Sequence, residues 1–354
     1  MKHNFGAGPC ILPQEVFKQA SQGVLEFNNT GLSILEISHR APEFVAVMDE
    51  AIALVKELLN VPAGYSVVFL QGGASLQFTM VAMNLLPEGK KASYLDTGVW
   101  SKKAIAEAKL FGEVEVVASS KDKNYSYIPK DYTVASDSEY FHFTSNNTIF
   151  GTQFQSFPKV NVPLVCDMSS DIFSKEINVA DFDLIYAGAQ KNIGPAGATL
   201  VIVKDEILGK AGRIIPSMLD YQKQIEAESM YSTPPVFSVF VSMLNLRWLK
   251  SKGGVAEIGK ENIAKANALY REIDRNPLFR GTVAVEDRSN MNVTFLLTNP
   301  DHTATFDALW KEAGISGLPG HRSVGGYRAS MYNALAVESV QALVDCMKEL
   351  ENKI

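Results

Sequence analysis

The sequence predicts an α/β fold, in which a mostly parallel sheet is covered by helices, followed by a smaller α+β domain. Seven short β-rich runs recur between residues 60 and 205, helical patterns separate several of them, and helices dominate after Pro234-Pro235. The predicted strands are residues 67–70, 92–95, 114–117, 140–143, 163–166, 184–187 and 200–203. Many of these runs are apolar almost without interruption, as expected for strands that are buried on both faces of a sheet.

Helices are predicted between the strands and after them. The patterns at 76–86 and 100–111 indicate helices that cover the sheet. The apolar stretch 236–249 is interrupted by polar residues and is shorter than the ~20 residues that a membrane span needs, so it predicts a buried helix. The stretch 255–273 repeats its apolar residues near the helical period, which predicts a long helix that could join two domains.

The last hundred residues have the pattern of a second, smaller domain. They contain a predicted strand at 292–297, a helix from Thr305 that stops at Gly314, a glycine-rich stretch at 317–326 and an amphipathic helix at 337–350. We therefore expect a large domain over 15–250. The small domain is expected to comprise 251–354 together with the N-terminal segment 1–14.

Composition narrows the class of protein. The chain has 354 residues, of which 46% are hydrophobic and 20% charged, as in ordinary globular domains. Its net charge of −6 argues against nucleic acid or an anionic membrane as the main partner, since both select basic surfaces. Cys10, Cys166 and Cys346 show no disulfide or zinc spacing. With no signal or transit pattern at the N-terminus, we expect a cytoplasmic protein.

Ligands of open α/β sheets bind beyond the carboxyl ends of the strands, so residues that follow strands are candidates for the site. The run 71–75, Gln-Gly-Gly-Ala-Ser, feeds glycines into a helix start, where backbone N–H groups can hold a phosphate. A strand-to-helix turn also needs glycine for its geometry alone. Trp100 follows the next strand, where it could stack on a flat ligand or pack in the core.

Asp167 and Lys191 follow two predicted strands that are neighbours in sequence. A lone lysine after a strand is usually solvated, but Lys191 lies among small residues, where an amine in a pocket can attack a carbonyl. A carboxylate one strand away is the partner that pyridoxal phosphate needs on its ring nitrogen. The pair therefore points to a pyridoxal phosphate enzyme.

Together, the motifs closely resemble those of the phosphoserine aminotransferase family, which are class V aminotransferases with the fold-type I architecture of pyridoxal phosphate enzymes. The resemblance runs in order from about Asn4 past Asn333. It is carried by residues 4–9, 38–40, 72–78, 189–192, 232–235 and 320–330. The segment 320–328, Gly-His-Arg-x-x-Gly-Gly-x-Arg, is the most specific to the family. The resemblance implies a large, mostly parallel seven-stranded sheet domain and a smaller C-terminal α+β domain.

For the cofactor, the resemblance implies one pyridoxal 5'-phosphate per subunit, held by Lys191 as a Schiff base. Lys191 would also move the proton at the substrate α-carbon, and Asp167 would pair with the ring nitrogen. Trp100 would stack on the ring, and Thr148 would hydrogen-bond near the phenolic oxygen. The residues implied to hold the cofactor phosphate are Ala74, Ser75, Gln190, Ser232 and Thr233. In the family the pair 232–233 comes from the neighbouring subunit, which implies a homodimer with shared active sites.

For the substrates, the resemblance implies reversible amino transfer between L-glutamate and 3-phosphohydroxypyruvate, which gives O-phospho-L-serine and 2-oxoglutarate in serine biosynthesis. Arg328 resembles the anchor of the α-carboxylate, because guanidinium binds carboxylate through two parallel hydrogen bonds. A second pocket, for phosphate or γ-carboxylate, would be formed by His39, Arg40, His321 and Arg322. Some family members have arginine at the position of Ser75, so phosphate binding in this chain must depend more on Arg40, His321 and Arg322. Many members have asparagine at the position of Ser232, where this chain has a hydroxyl in place of an amide.

Other functions fit the residues less well. Another class V aminotransferase could use an unphosphorylated 2-oxo acid, but the two His-Arg pairs argue against it. A cysteine desulfurase needs a mobile catalytic cysteine in the second half of the chain, where only Cys346 lies, in an amphipathic helix. A binding protein without chemistry would lack the amine, the acid or the arginines, and all are present.

No metal is expected, because the five histidines show no ligand spacing such as H-E-x-x-H. His142 lies among alternating aromatic residues, which is typical of a packed core histidine. The sequence leaves open whether the enzyme also acts on 3-hydroxy-2-oxo-4-phosphooxybutanoate in pyridoxine biosynthesis, because the two acceptors differ by one hydroxymethylene group.

Overall fold

A computed structural model describes residues 2–354 of the chain. Its strands, in chain order, are β1 (His3–Asn4), β2 (Tyr65–Leu70), β3 (Lys91–Asp96), β4 (Glu113–Ser119), β5 (Phe141–Thr144), β6 (Leu164–Asp167), β7 (Leu184–Gly188), β8 (Thr199–Lys204), β9 (Phe279–Gly281), β10 (Asn292–Leu297), β11 (Ile315–Ser316) and β12 (Tyr327–Ser330). Its α-helices are α1 (Gln14–Leu25), α2 (Pro42–Leu58), α3 (Gly73–Leu85), α4 (Val99–Ala108), α5 (Tyr221–Glu226), α6 (Val236–Ser251), α7 (Gly254–Arg275), α8 (Thr303–Glu312) and α9 (Val337–Lys353).

The main sheet contains the seven predicted strands, in the order β2-β8-β7-β6-β5-β3-β4. β8 runs antiparallel to both of its neighbours, and the pairs among β3 to β7 are parallel. β2 therefore points the same way as β7, and six strands end at one edge of the sheet. The predicted fold class, with its mostly parallel seven-stranded sheet, is confirmed.

Both faces of this sheet are covered, which explains why its strands are so apolar. In β2, Val67 and Phe69 belong to a hydrophobic cluster with residues of α1, α2 and α6. The alternate residues Val68 and Leu70 belong to a second cluster, with residues of α3 and α4. Since successive side chains of a strand point to opposite faces, this alternation places one layer of helices on each side.

A third hydrophobic cluster lies in the last part of the chain. It combines the antiparallel sheet β12-β10-β9 with residues of α7, α8 and α9, and it includes Phe5 from the N-terminal segment. β1 pairs in parallel with β11, which holds that segment against the C-terminal part. The domain boundaries at 15–250 and 251–354 stay a prediction.

Helix α7 contributes to two of the clusters. Val255 and Ile258, near its start, belong to the cluster that includes α6, whereas Leu269 and Ile273 belong to the cluster with α8 and α9. Helix α6 has buried residues along most of its length, as its apolar sequence predicts. Within residues 2–354, none of the helices combines the length and the apolar character that crossing a bilayer requires.

Candidate active site

Apart from Ser232 and Thr233, the predicted cofactor residues lie where parallel strands of the main sheet end. Ala74 and Ser75 follow β2, Trp100 follows β3 and Thr148 follows β5. Asp167 is the last residue of β6, and Gln190 and Lys191 follow β7. Because these strands point the same way, the candidates gather along one edge of the sheet, as expected for a ligand site in an open α/β fold.

Asp167 and Lys191 form the centre of this edge. Asp167 is the last residue of β6 and is 4% exposed, and its Oδ1 accepts a hydrogen bond of 2.9 Å from the Ser169 N–H. Lys191 is 9% exposed, and burial lowers the pKa of its amine to about 8, although the charge of Asp167 acts in the opposite direction. Burial raises the pKa of Asp167. Lysine at this pKa has a far larger neutral fraction at neutral pH than an exposed lysine, so it can act as a nucleophile or base.

Asp171 is a second buried carboxylate at this edge, which the sequence prediction missed. Its oxygens accept hydrogen bonds from Ser145 Oγ and, at 3.1 Å, from Gln153 Nε2. Its charge raises the pKa of Lys191, against the effect of burial. A second acid four residues after Asp167 was the available signal, but such an acid in a turn is usually solvated.

Trp100 and Thr148 contact each other directly. The Trp100 Nε1–H donates a hydrogen bond of 2.9 Å to Thr148 Oγ1. Lys103 Nζ lies 5.1 Å from the centre of the indole ring, a cation–π contact within α4. Because Thr148 Oγ1 accepts from the indole, its own O–H is left to donate elsewhere, as a residue that bonds a ligand oxygen needs.

Arg328 joins the same group from the C-terminal part of the chain. It lies on β12, and its Nη1 donates a hydrogen bond of 2.9 Å to the carbonyl oxygen of Thr148. Its Nε is buried and finds no hydrogen-bond partner among residues 2–354. Burial lowers the pKa of Arg328. A buried guanidinium N–H without a partner is costly, and a ligand carboxylate would satisfy it.

The positive charges of Arg322 and Arg328 both act on His321. Burial lowers the pKa of His321, and the charges of Arg328 and Arg322 lower it further. His321 is half-buried and Arg322 is exposed, in the glycine-rich segment that leads into β12. The loop that carries His321 and Arg322 therefore lies near the guanidinium of Arg328, which donates to Thr148.

His39 and Arg40 form a hydrogen-bonded pair of their own. They precede α2, and Arg40 Nε donates to His39 Nε2 at 3.3 Å. In the part of the chain that the structure describes, no hydrogen bond or ion pair joins either residue to the segment 320–328. Their membership of one pocket with His321 and Arg322 stays a prediction.

Ser232 and Thr233 accept hydrogen bonds from Gln71, the residue that follows β2. Gln71 Nε2 donates to Ser232 Oγ at 3.4 Å and to the Thr233 carbonyl oxygen at 2.8 Å. Gln71 directly precedes the glycine turn. The predicted role of Ser232 and Thr233 in a neighbouring subunit's site stays a prediction.

The glycine turn gives α3 an open N-terminus. Gly72 and Gly73 have φ of 86° and 64°, in the left-handed region that favours glycine. Within the described chain, no side chain caps the first turn of α3, so its N–H groups, including those near Ala74 and Ser75, face the sheet edge without a side-chain acceptor. Such a helix start is suited to a phosphate.

The N-terminal segment packs beside the lysine. Cys10 Sγ–H donates to the Lys191 carbonyl oxygen at 2.9 Å, and the Cys10 N–H donates to the Gln190 carbonyl oxygen at 3.1 Å. A Cβ on Gly8 would lie 3.5 Å from Cγ of Lys191. Sequence motifs at 4–9 and 189–192, almost two hundred residues apart, thus meet in space.

Comparison with known proteins gives the family of this chain. Residues 3–343 match the family model described as Aminotransferase class-V. A phosphoserine aminotransferase of Flavobacterium johnsoniae is 68% identical over 354 residues, which cover 100% of this chain and 99% of the relative. The chain belongs to the phosphoserine aminotransferase family of class V aminotransferases. The family predicted from the sequence motifs is confirmed.

Solved structures of this family share the fold of the chain. The phosphoserine aminotransferase of Bacillus circulans subsp. alkalophilus superposes with a TM-score of 0.96 and 43% identity, over 100% of this chain and 99% of that one. The PLP-bound phosphoserine aminotransferase of Trichomonas vaginalis superposes with a TM-score of 0.94 and 37% identity, over 98% and 100% of the two chains. The predicted fold-type I architecture of this phosphoserine aminotransferase family member is therefore confirmed as well.

Proposed function

We propose that this chain transfers an amino group reversibly between L-glutamate and 3-phosphohydroxypyruvate, giving O-phospho-L-serine and 2-oxoglutarate. One observation carries the proposal. The family-specific cationic loop 320–328 ends in Arg328, which bonds the Thr148 carbonyl at 2.9 Å, beside the buried Lys191 amine. A site with a buried amine and several cations suits an oxo acid with two anionic groups better than an oxo acid whose carboxylate is its only anionic group. Membership of the phosphoserine aminotransferase family supports the same substrate.

The residues at the sheet edge fit pyridoxal 5'-phosphate, the cofactor of class V aminotransferases. The open N-terminus of α3 at Ala74 and Ser75 suits the phosphate. Asp167 has one carboxylate oxygen held by the Ser169 N–H, and the other would pair with the ring nitrogen. The half-buried indole of Trp100 and the hydroxyl of Thr148 would hold the ring.

When bound, pyridoxal phosphate supplies an aldehyde that reacts with amines and a ring that accepts electron density from the substrate α-carbon. Lys191, with a pKa lowered to about 8, is the base that would move the proton of that carbon. Asp167 is buried, so the attraction between its ionised carboxylate and a protonated ring nitrogen would be screened less by water than at an exposed aspartate.

Two parts of the loop would act on different substrate groups. Arg328 would bind the α-carboxylate of glutamate or of the oxo acid, with its buried Nε as one donor. His321 and Arg322 would bind the phosphate, His321 as a hydrogen-bond donor from its imidazole and Arg322 with its charged guanidinium. The half-buried His39 and the exposed Arg40 would complete this pocket if a second subunit brings them to it.

The proposal includes a homodimer with shared active sites and a cytoplasmic location. Two features support the dimer. Ser232 and Thr233 contact Gln71 rather than the first turn of α3 in their own chain, and His39 and Arg40 are hydrogen-bonded only locally within residues 2–354. A cysteine desulfurase is disfavoured, because Cys346 is buried in α9 and burial raises the pKa of its thiol to about 11.

The test follows the visible absorbance of the purified protein loaded with pyridoxal phosphate. We expect glutamate to bleach the band and 3-phosphohydroxypyruvate to restore it, whereas pyruvate does not. Restoration by pyruvate alone would support an enzyme for unphosphorylated oxo acids. An added arm with 3-hydroxy-2-oxo-4-phosphooxybutanoate tests the pyridoxine reaction. Lys191→Ala is the control, and a Lys191→Ala protein that still completes the cycle would contradict the proposal.

A further inference from the structure

We propose that Asn147 is a positioning residue that fixes Thr148, and through Thr148 both the ring-stacking Trp100 and the substrate anchor Arg328. The inference rests on the proposed function, because it deepens the account of that same site. Asn147 touches neither substrate nor cofactor in this account. It acts by joining two loops, the loop after β3 and the turn that carries Thr148.

Both the nitrogen and the oxygen of the Asn147 side-chain amide form hydrogen bonds. Its Nδ2 donates a hydrogen bond of 2.7 Å to the Thr97 carbonyl oxygen. Its Oδ1 accepts from the N–H groups of Ile149 at 3.0 Å and Phe150 at 3.2 Å. The side chain is 2% exposed, so these bonds do not compete with bulk water. One amide thus closes the turn that carries Thr148 and ties it to the loop after β3.

The backbone of Asn147 closes the same turn from the other side. Its N–H donates to the Thr152 carbonyl at 2.8 Å, and its carbonyl accepts from the Gly151 N–H at 2.9 Å. With five hydrogen bonds on one residue, the position of Thr148 next to it is strongly constrained.

The loop after β3 is shaped to receive this amide. A Cβ on Gly98 would lie 2.0 Å from Asn147 Nδ2, so only glycine allows the two loops to approach so closely. On its other side, the loop is held by Asp96, whose Oδ1 accepts from the Gly98 N–H at 3.3 Å. Trp100 follows two residues later, in the first turn of α4. Asn147 therefore sets where α4 begins relative to Thr148.

Thr148 is hydrogen-bonded to two side chains of the candidate site, Trp100 and Arg328. Its Oγ1 accepts from Trp100 Nε1, and its carbonyl oxygen accepts from Arg328 Nη1, both at 2.9 Å. A shift of Thr148 would displace the indole and the guanidinium together. Misplacement of a substrate-positioning group by about 1 Å can cost about 100-fold in rate.

Two variants distinguish the hydrogen bond from Asn147 to Thr97 from the hydrogen bonds that Asn147 accepts within its own turn. Asn147→Asp keeps an oxygen for the Ile149 and Phe150 amides but replaces the donor to Thr97 with an oxygen that repels its carbonyl. Asn147→Ser keeps a short acceptor for the turn and is too short to reach Thr97. The matched control is Asn84→Asp. Asn84 is also buried, donates to the carbonyls of Met80 and Leu219, and accepts from the Tyr221 N–H, in the last turn of α3.

Kinetics and spectroscopy are measured for native protein and the three variants. We expect both Asn147 variants to raise the KM for glutamate about tenfold and to lower kcat about tenfold. We also expect them to change the visible circular dichroism of bound pyridoxal phosphate and the tryptophan emission of the cofactor-free protein. Asn84→Asp is expected to lower the melting temperature while the KM, the dichroism and the emission stay native.

The inference is overturned if the Asn147 variants lower only the melting temperature, as Asn84→Asp does, with native KM, dichroism and emission. Should Asn147→Asp fail to fold, Asn147→Ser decides between the two results. If native protein does not turn over glutamate and 3-phosphohydroxypyruvate, the proposed function fails instead. Tryptophan emission and cofactor dichroism then still decide whether Asn147 positions Trp100.

Discussion

The charge of Asp167, at the end of β6, counteracts the effect of burial on Lys191, which follows β7. Burial lowers the pKa of Lys191 to about 8, and Asp167 is the largest influence that raises it. The amine must be neutral to attack an aldehyde. The rate at which cofactor-free protein captures pyridoxal phosphate should therefore rise with pH through about 8 and then level off, as measured by stopped-flow absorbance.

Asp167→Asn tests the same relationship from the carboxylate side. Without the negative charge, the neutral form of Lys191 is favoured further, so the midpoint of the capture rate should move below pH 8. A midpoint near the ordinary lysine value of about 10.4, in either protein, would contradict a buried amine. Capture is measured before any turnover, so loss of activity in Asp167→Asn does not affect this readout.

Arg328→Gln should weaken the binding of both amino and oxo acids. The substitution removes the positive charge and the guanidinium fork that would bind a carboxylate, and a charge-assisted hydrogen bond is worth about 1.5–3 kcal/mol. The KM for glutamate should rise about 10- to 100-fold. Arg280→Gln, at an exposed position on β9, is the control and should leave the KM native. Equal effects of the two substitutions would exclude a specific anchor.

Lys265 is expected to stabilise the loop that follows β12. It is fully buried on α7, and its Nζ donates to the carbonyl oxygens of Met331, Tyr332 and Leu335 at 3.2, 3.0 and 3.1 Å. Lys265→Met removes all three bonds and should lower the free energy of unfolding by about 3 kcal/mol in urea titrations. Lys260→Met, which removes an exposed ion pair with Glu257 on the same helix, should cost less than about 1 kcal/mol.

His142 should make the protein sensitive to acid. Its imidazole is buried between Tyr94 and Tyr186, and burial lowers its pKa to about 3 from 6.5. The unfolded state therefore binds a proton that the folded state does not between these values, and stability falls as the pH drops below 6.5. His142 contributes at most about 1.4 kcal/mol per pH unit to this fall. Urea titrations of native protein and His142→Phe from pH 7 to 4 should show a shallower slope for the variant.

The sheet could be predicted from the sequence because its strands are buried on both faces. Each of the seven runs is apolar enough to stand out, and all seven predicted strands end within two residues of the observed ones. The reversed direction of β8 was not predictable, since an apolar run reads the same for either direction. The pairing of His3–Asn4 with Ile315–Ser316 joins segments too short and too distant to show a pattern.

The candidate site was predictable where a residue has unusual neighbours or where a motif resembles that of the family. Lys191, which lies among small residues after a strand, is an example of the first, and the loop 320–328 is an example of the second. Asn147 and Asp171 are neither, because an asparagine or aspartate in a loop is common and their roles depend on partners from other loops. Lys265 was missed for a related reason. A lysine on an amphipathic helix predicts a solvent-facing position, and only the tertiary structure turns it towards three carbonyls.

Helix α7 has a consequence for how the molecule unfolds. Its first turns complete the hydrophobic cluster shared with α6, and its later turns complete the cluster shared with α8 and α9. If either cluster melted, one end of the continuous 22-residue helix would lose its packing. The other end would then be attached to an unsupported helix, which would weaken the packing of the second cluster as well. Heat should therefore unfold the two clusters together, with coincident transitions by different spectroscopic probes, rather than one cluster after the other.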